Sequence, residues 1–207
     1  MTRTPTPVRF VLASASPARR RTLQRAGVEP EVMVSGVEEE SVHASSAERL
    51  VLALAEAKAQ AVARAFDGEG LVLGCDSLLE LDGAALGKPG TADAAIARWR
   101  ALRGRSGVLV TGHALLRVVD REVVGQVVQA ASTTVHFAEP SDSEISAYVG
   151  TGEPLDVAGA FTVDGLGGWF VDRIEGDYHN VVGLSLPLLR RMLGDLGFGL
   201  ADLGYPR

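Results

Sequence analysis

The stretch VRFVLASASPARR, Val8 to Arg20, decides the fold class. Val8 to Ala13 is a short apolar run of the kind that forms a buried strand. Ser14-Ala15-Ser16 is a loop of small residues. Ser16 followed by Pro17 reads as a helix N-cap with proline at the first helical position. The helix is predicted to run to about Ala26, where Gly27 ends it. A strand that passes through such a loop into a helix is the unit of α/β sheets. It also suits an anion, because the helix start offers unpaired N–H groups and a positive dipole end. Ser14 and Ser16 add hydroxyl donors. Arg19, Arg20 and Arg21 put cations on the first turn, where they oppose the dipole unless an anion compensates them. A solvated basic helix start would read the same way, and the stretch is neither a Walker loop nor a dinucleotide fingerprint.

Outward from this unit, Glu31 to Val37 reads as a second strand, with Glu38-Glu39-Glu40 behind it. Ser45 and Glu48 have capping-box spacing ahead of the longest helix, which reaches about Phe66. Leu71 to Gly74 reads as a buried strand that ends at Cys75-Asp76-Ser77. Leu78 to Leu86 contains the hairpin signal Asp82-Gly83. Gly87-Lys88-Pro89-Gly90 is a loop, and Thr91 caps a helix to about Leu102. Val108 to Val119 and Val123 to Phe137 are β-branched runs that join near Asp120-Arg121. Ser141 and Glu144 form a capping box for a helix to about Val149, and Gly150 to Pro154 is a turn. Asp156 to Val163 and Trp169 to Ile174 read as strands around a glycine-rich bend. Ser185 caps a last helix ending near Gly197. Strands and helices alternate early and strands cluster in the middle, which predicts a mixed α/β sheet. One domain spans residues 1–207, with mobile ends expected at 1–7 and 199–207.

The 207 residues are 46% hydrophobic and 22% charged, ordinary for a folded domain with a sizeable core. A net charge of −6 argues against duplex nucleic acid as a partner but leaves room for a small phosphate ligand. Cys75 is the only cysteine, so neither an internal disulfide nor a cysteine zinc site forms. Met1 to Val8 lacks the apolar run of a signal peptide, and no apolar run is long enough to span a membrane. The expectation is a cytoplasmic protein. Of the 20 basic residues, all but Lys58 and Lys88 are arginine.

The candidate chemistry lies in these few residues. Clustered carboxylates at Glu38-Glu39-Glu40 suit a hard divalent cation or a water, though a solvated acidic loop has the same sequence. Asp76 follows an apolar strand, a place where open α/β sheets bind ligands, and suits a general base or metal ligand. An Asx turn is its plain alternative. Lys58, on the long helix, and Lys88, in a loop, each suit a phosphate or a bare surface. His43, His113, His136 and His179 are scattered without metal-ligand spacing, and Cys75 reads as a small core residue.

In this order, the segments LASASPARR (12–20), VEEE (37–40), LALAEAKAQAVA (52–63), LGCDSLLELDGAALGKP (73–89), TGEPLDVAGAF (151–161) and EGDYHNVVGLSLPLL (175–189) resemble the Maf family of nucleoside triphosphate pyrophosphatases. The resemblance implies hydrolysis of a nucleoside triphosphate to monophosphate and diphosphate, a Mg²⁺ or Mn²⁺ ion, and a house-cleaning role with a link to septum arrest in some members. It implies an elongated mixed sheet flanked by helices, with two lobes around a deep cleft, similar to inosine triphosphate pyrophosphatases. By motif, Asp76 would take a proton from the attacking water. Ser14, Ser16, Arg19, Lys58 and Lys88 would hold the triphosphate, with Arg20 a further partner. Glu38, with Glu39 and Asp76, would serve the metal. Ser77 and Asp164 fall in the substrate-selective set. The chain departs from the common pattern at Ala18, Ser77, Val157 and Asp164, so no dTTP or UTP preference is carried over. A homodimer follows by analogy. A non-catalytic nucleotide-binding regulator and a nucleotidyltransferase are the competing readings.

Overall fold

The computed structural model describes residues 7–205. Expectations for residues 1–6, 206 and 207 lie outside the described residues. Thirteen regular elements follow one another along the chain: β1 (Arg9–Leu12), α1 (Pro17–Arg25), β2 (Glu31–Val32), α2 (Ala47–Ala63), β3 (Glu69–Leu81), β4 (Ala84–Leu86), α3 (Ala92–Leu102), β5 (Ser106–Val119), β6 (Glu122–Phe137), α4 (Asp142–Gly150), β7 (Val171–Glu175), α5 (Tyr178–Val182) and α6 (Leu186–Asp195). They build one mixed sheet in the order β2-β1-β3-β5-β6-β7, with β4 paired to β3. β1 runs parallel to β2 and β3, while β3, β5 and β6 form a long antiparallel meander. The α/β class read from Val8 to Arg20 is therefore the observed one.

Three apolar clusters divide this sheet into two lobes. In the first lobe, Leu71, Leu73, Cys75 and Leu115 pack under α6 on one face. On the other face Val72, Ala114, Leu116 and Val118 pack under α2. In the second lobe, Leu79, Leu81 and Leu109 join Trp99 of α3 and Tyr148 of α4. β3 and β5 pass through both lobes. The residues between the clusters, Asp76 and Ser77 opposite Gly112 and Thr111, form a polar seam.

α2 lies almost on the sheet backbone at that seam. A Cβ at Gly74 would press on the Ala55 carbonyl oxygen, and one at Gly112 on the Val51 carbonyl oxygen. Two glycines facing the same helix from adjacent strands permit a spacing that any side chain would widen.

Several sequence expectations change. Cys75-Asp76-Ser77 does not end a strand: β3 continues to Leu81 because β5 pairs with it without interruption from Glu69 to Glu80. What ends is the parallel partner, since β1 pairs only as far as Leu73. The strand at Glu31 to Val37 is reduced to Glu31–Val32. Ser46, not Ser45, caps α2 by accepting from the Arg49 N–H. Asp156 to Val163 holds the end of one 3₁₀ turn, Glu153–Asp156, and a second, Ala158–Ala160, rather than a strand, with Gly159 at φ 72° and Ala160 at φ 64°. The expected Trp169 strand begins at Val171, after a 3₁₀ turn over Leu166–Phe170. Within the C-terminal segment, the Val8 N–H donates to the Asp202 carbonyl at 2.7 Å and Leu203 is buried in the first lobe. The Ser16, Thr91, Ser141 and Ser185 caps are observed as expected.

One histidine ties α6 to the sheet. His113 is fully buried on β5; its Nδ1–H donates to the Thr111 carbonyl at 3.1 Å and its Nε2 accepts from the Ser185 N–H at 2.9 Å. The second bond requires the neutral ring, because only there is Nε2 an acceptor. Burial, with the Arg19 charge adding, pushes its pKa down from 6.5 to about 4. Between those values the unfolded chain binds a proton that the folded chain refuses. This contribution is therefore full above pH 6.5 and is lost as pH falls toward 4. Urea unfolding should show His113 contributing about 2 kcal/mol of lost stability between pH 7 and pH 5. His113→Gln should have a visibly shallower pH slope, and equal slopes would contradict the assignment.

Candidate active site

The seam gathers charged groups that the sequence separates. Asp76 points toward α2, on the same face as Gly74, and its Oδ1 accepts from the Lys58 ammonium at 2.6 Å. Both side chains are buried. The same ammonium lies 2.6 Å from Glu39 Oε1. Lys58 thus bridges two carboxylates that come from the segments before and after α2. Burial pushes the Glu39 carboxyl up, but the Lys58 hydrogen bond and charge, with the fields of Lys88 and Arg19, outweigh it and hold the carboxyl below its ordinary value. Lys88 thus lies close enough to Glu39 for its charge to be felt there. The lysine is exposed, in a loop fixed by Gly159 N–H and the Arg98 guanidinium on the Gly87 carbonyl and by Gly90 N–H on Leu155.

Arg19 is buried on the other side of β3. Its Nε donates to the Gly183 carbonyl at 2.8 Å. Nη1 donates to Ser14 Oγ at 3.2 Å and to the Cys75 carbonyl at 2.8 Å. Nη2 donates to Ser77 Oγ at 3.0 Å. The Cys75 carbonyl lies beyond the reach of β1, so the guanidinium serves the edge that the shorter strand leaves uncovered. Ser77 Oγ also meets Thr111 Oγ1 at 2.9 Å, and Thr111 donates to the Asn180 carbonyl of α5 at 3.3 Å. Four of the five guanidinium donors are engaged within the protein. Arg19 therefore joins the Ser14 loop, β3 and the Gly183 turn.

The structure brings together Ser14, Ser16, Arg19, Ser77, Asp76, Lys58, Glu39 and, by its field, Lys88. The side chains of three other candidate residues make no hydrogen bond or ion pair to them among the described residues. Arg20 is exposed and lies 3.6 Å from Glu29, because successive helix positions point about 100° apart. Glu38 is exposed and caps a 3₁₀ turn with its backbone, so Glu39 rather than Glu38 reaches Lys58. Asp164 is exposed in a hollow with Ala18, Arg21, Tyr178 and His179. Thr111, Asn180 and Gly183 were not singled out in the sequence; only the strand register and the α5 turn, neither visible locally, bring them to the site. Cys75 is buried and its thiol is pushed up to about 12 by burial, which fits a core residue and not a nucleophile.

The Maf-like protein family matches residues 9–196. The chain belongs to this family. It is 58% identical over 199 residues to a nucleoside triphosphate pyrophosphatase of Streptomyces coelicolor, covering 96% of this chain and 95% of that one. It is 54% identical over 203 residues to a nucleoside triphosphate pyrophosphatase of Rhodococcus jostii, covering 94% and 95%. Among solved structures, the Ham1 protein of Staphylococcus aureus overlaps 63% of this Maf chain and 72% of its own, at 17% identity and a TM-score of 0.41, and no assignment rests on that overlap.

Removing one partner of a buried ion pair strands the other charge. Lys58→Met should lower unfolding free energy by about 3 kcal/mol or more. Lys58→Met/Asp76→Asn should recover a large part of that loss. Strictly additive losses in urea unfolding would show that the two groups do not depend on each other.

Proposed function

We propose that this protein hydrolyses nucleoside triphosphates to the monophosphate and diphosphate, and that the Lys58–Asp76–Glu39 bridge organises the reacting end of the site. The observation that carries this reading is the buried bridge itself. A lysine desolvated between two carboxylates beside a serine- and arginine-lined helix start supplies both charge signs that phosphate hydrolysis needs. Membership of a family whose close relatives carry the pyrophosphatase name supports it.

Each residue then has a task. Lys58 fixes Asp76 through Oδ1, so the second oxygen is aimed and available to accept a proton from the attacking water. The Ser14 and Ser16 hydroxyls and the first turn of α1 receive phosphate oxygens, with Lys88 as an exposed, movable cation. Arg19 contributes its field and shapes the Ser14 loop, with most of its donors already engaged. Ser77 and Asp164 face the nucleoside end.

A divalent ion fits this donor set when the substrate completes it. Among the described residues no group of three or more histidine, cysteine or acidic side chains is arranged to hold a metal alone. Glu39 gives one oxygen to Lys58 and keeps a second, which suits Mg²⁺ or Mn²⁺ bound through one carboxylate plus phosphates, with Asp76 Oδ2 left for the water. Such an ion neutralises charge on the phosphoryl oxygens. Among the described residues no helix is long and apolar enough to cross a membrane.

The test is a turnover screen over ordinary and modified nucleoside triphosphates with Mg²⁺ or Mn²⁺ and both products identified. At least one substrate should yield diphosphate and monophosphate in equal amounts. Orthophosphate as the sole inorganic product, or no turnover with any nucleotide, would overturn the reading.

A further inference from the structure

A third carboxylate, away from the bridge, has an unusual number of donors. Glu153 follows the left-handed Gly152 after α4. Its Oε1 accepts from the Tyr148 hydroxyl at 3.0 Å, the Thr162 hydroxyl at 2.5 Å and the Gly167 N–H at 3.0 Å. Its Oε2 accepts from the Leu166 N–H at 3.0 Å. Burial pushes this carboxyl up, yet the donors outweigh burial and hold it below its ordinary value. The loop is moulded to the carboxylate: a Cβ at Gly165 would lie 2.7 Å from Glu153 Oε2, and one at Gly167 would lie 2.5 Å from the Tyr148 hydroxyl oxygen.

The loop so held, residues 162–167, carries Asp164 on its exposed side. Asp164 shares its hollow with Ala18 of α1 and Tyr178 of α5. The hollow lies between the two elements that Arg19 joins, since Arg19 of α1 donates to the carbonyl of Gly183, which ends α5. Two carboxylates thus work on opposite sides of one loop: Glu153 is consumed by internal donors, while Asp164 is left open to a ligand.

We propose that Glu153 is a positioning residue for nucleoside recognition, fixing the Asp164 loop against the nucleotide site. This rests on the pyrophosphatase reading. Glu153 acts on substrate only through the loop, so its loss should loosen the nucleoside end and leave the phosphate chemistry intact. Interactions made equally in ground and transition states affect KM and spare kcat.

The experiment is steady-state kinetics of wild type, Glu153→Gln and Gly165→Ala on triphosphates that differ only in the base. Glu153→Gln turns an amide NH2, a donor, toward N–H and O–H groups from which it cannot accept. Gly165→Ala wedges the loop off the carboxylate without altering charge. Each should raise KM for the best substrate roughly ten-fold, with kcat within about two-fold, so that preference among bases shrinks. A merely structural role would lower kcat/KM for all bases by one factor. That result, or unchanged KM values, would overturn the proposal. If Glu153→Gln does not fold, Gly165→Ala decides alone. A wild-type protein that releases no diphosphate from any nucleotide would defeat the pyrophosphatase reading, and this inference with it, before any variant is compared.

Discussion

A lysine ammonium buried between two carboxylates sets the terms for the rest of this structure. Lys58 and Asp76 are both only 7% exposed, so neither charge is tolerable without the other. Their contact requires α2 to lie on the backbone of β3 and β5, and that approach requires glycine at 74 and 112. It also requires a place where the apolar clusters part, and the seam between the two lobes provides one. Glu39 closes the bridge from the loop after β2. Sequence, packing and chemistry meet at one nitrogen atom.

Arg19 plays the complementary part on the opposite face. β1 is too short to pair with β3 past Leu73, and the guanidinium takes the Cys75 carbonyl that the strand would have covered. In doing so it draws together the Ser14 loop and the Gly183 turn, and through Ser77 and Thr111 it reaches α5. An arginine engaged by four partners is a poor candidate for the principal phosphate grip, and in the proposed function that task falls to the hydroxyls, the helix start and the exposed Lys88. The absence of an arginine at position 18 matters less than it does when the motif is read as a string of cations.

How much was legible followed the range of each interaction. Local signals held: Ser16 before Pro17, the Ser141/Glu144 capping box and the Asp120-Arg121 turn all depend on residues within four positions and are observed. Asp76, Lys58 and Lys88 stand out in the sequence by their distinctive surroundings, and the fold pairs the first two. Apart from the α2 cap, which falls at Ser46 and not Ser45, what failed depended on distant partners. No local pattern says that β5 carries β3 straight through Asp76, that Asp156 to Val163 finds no strand to pair with, or that Glu39 rather than Glu38 meets Lys58. Glu153 lay in plain view in TGEP, but its role required knowing that the chain folds back to bring Leu166 and Gly167 onto it.

The central claim is that the carboxylate which Lys58 holds in place is the group that acts on water. It is tested most directly by comparing wild type with Asp76→Asn, measuring kcat for diphosphate release and, separately, Kd for a non-hydrolysable nucleotide. The asparagine keeps the shape and removes the proton acceptor. The account predicts a fall in kcat of at least roughly 10²-fold, with Kd changed little because the phosphates are held from α1 and the Lys88 loop. A variant that turns over at the wild-type rate would contradict it.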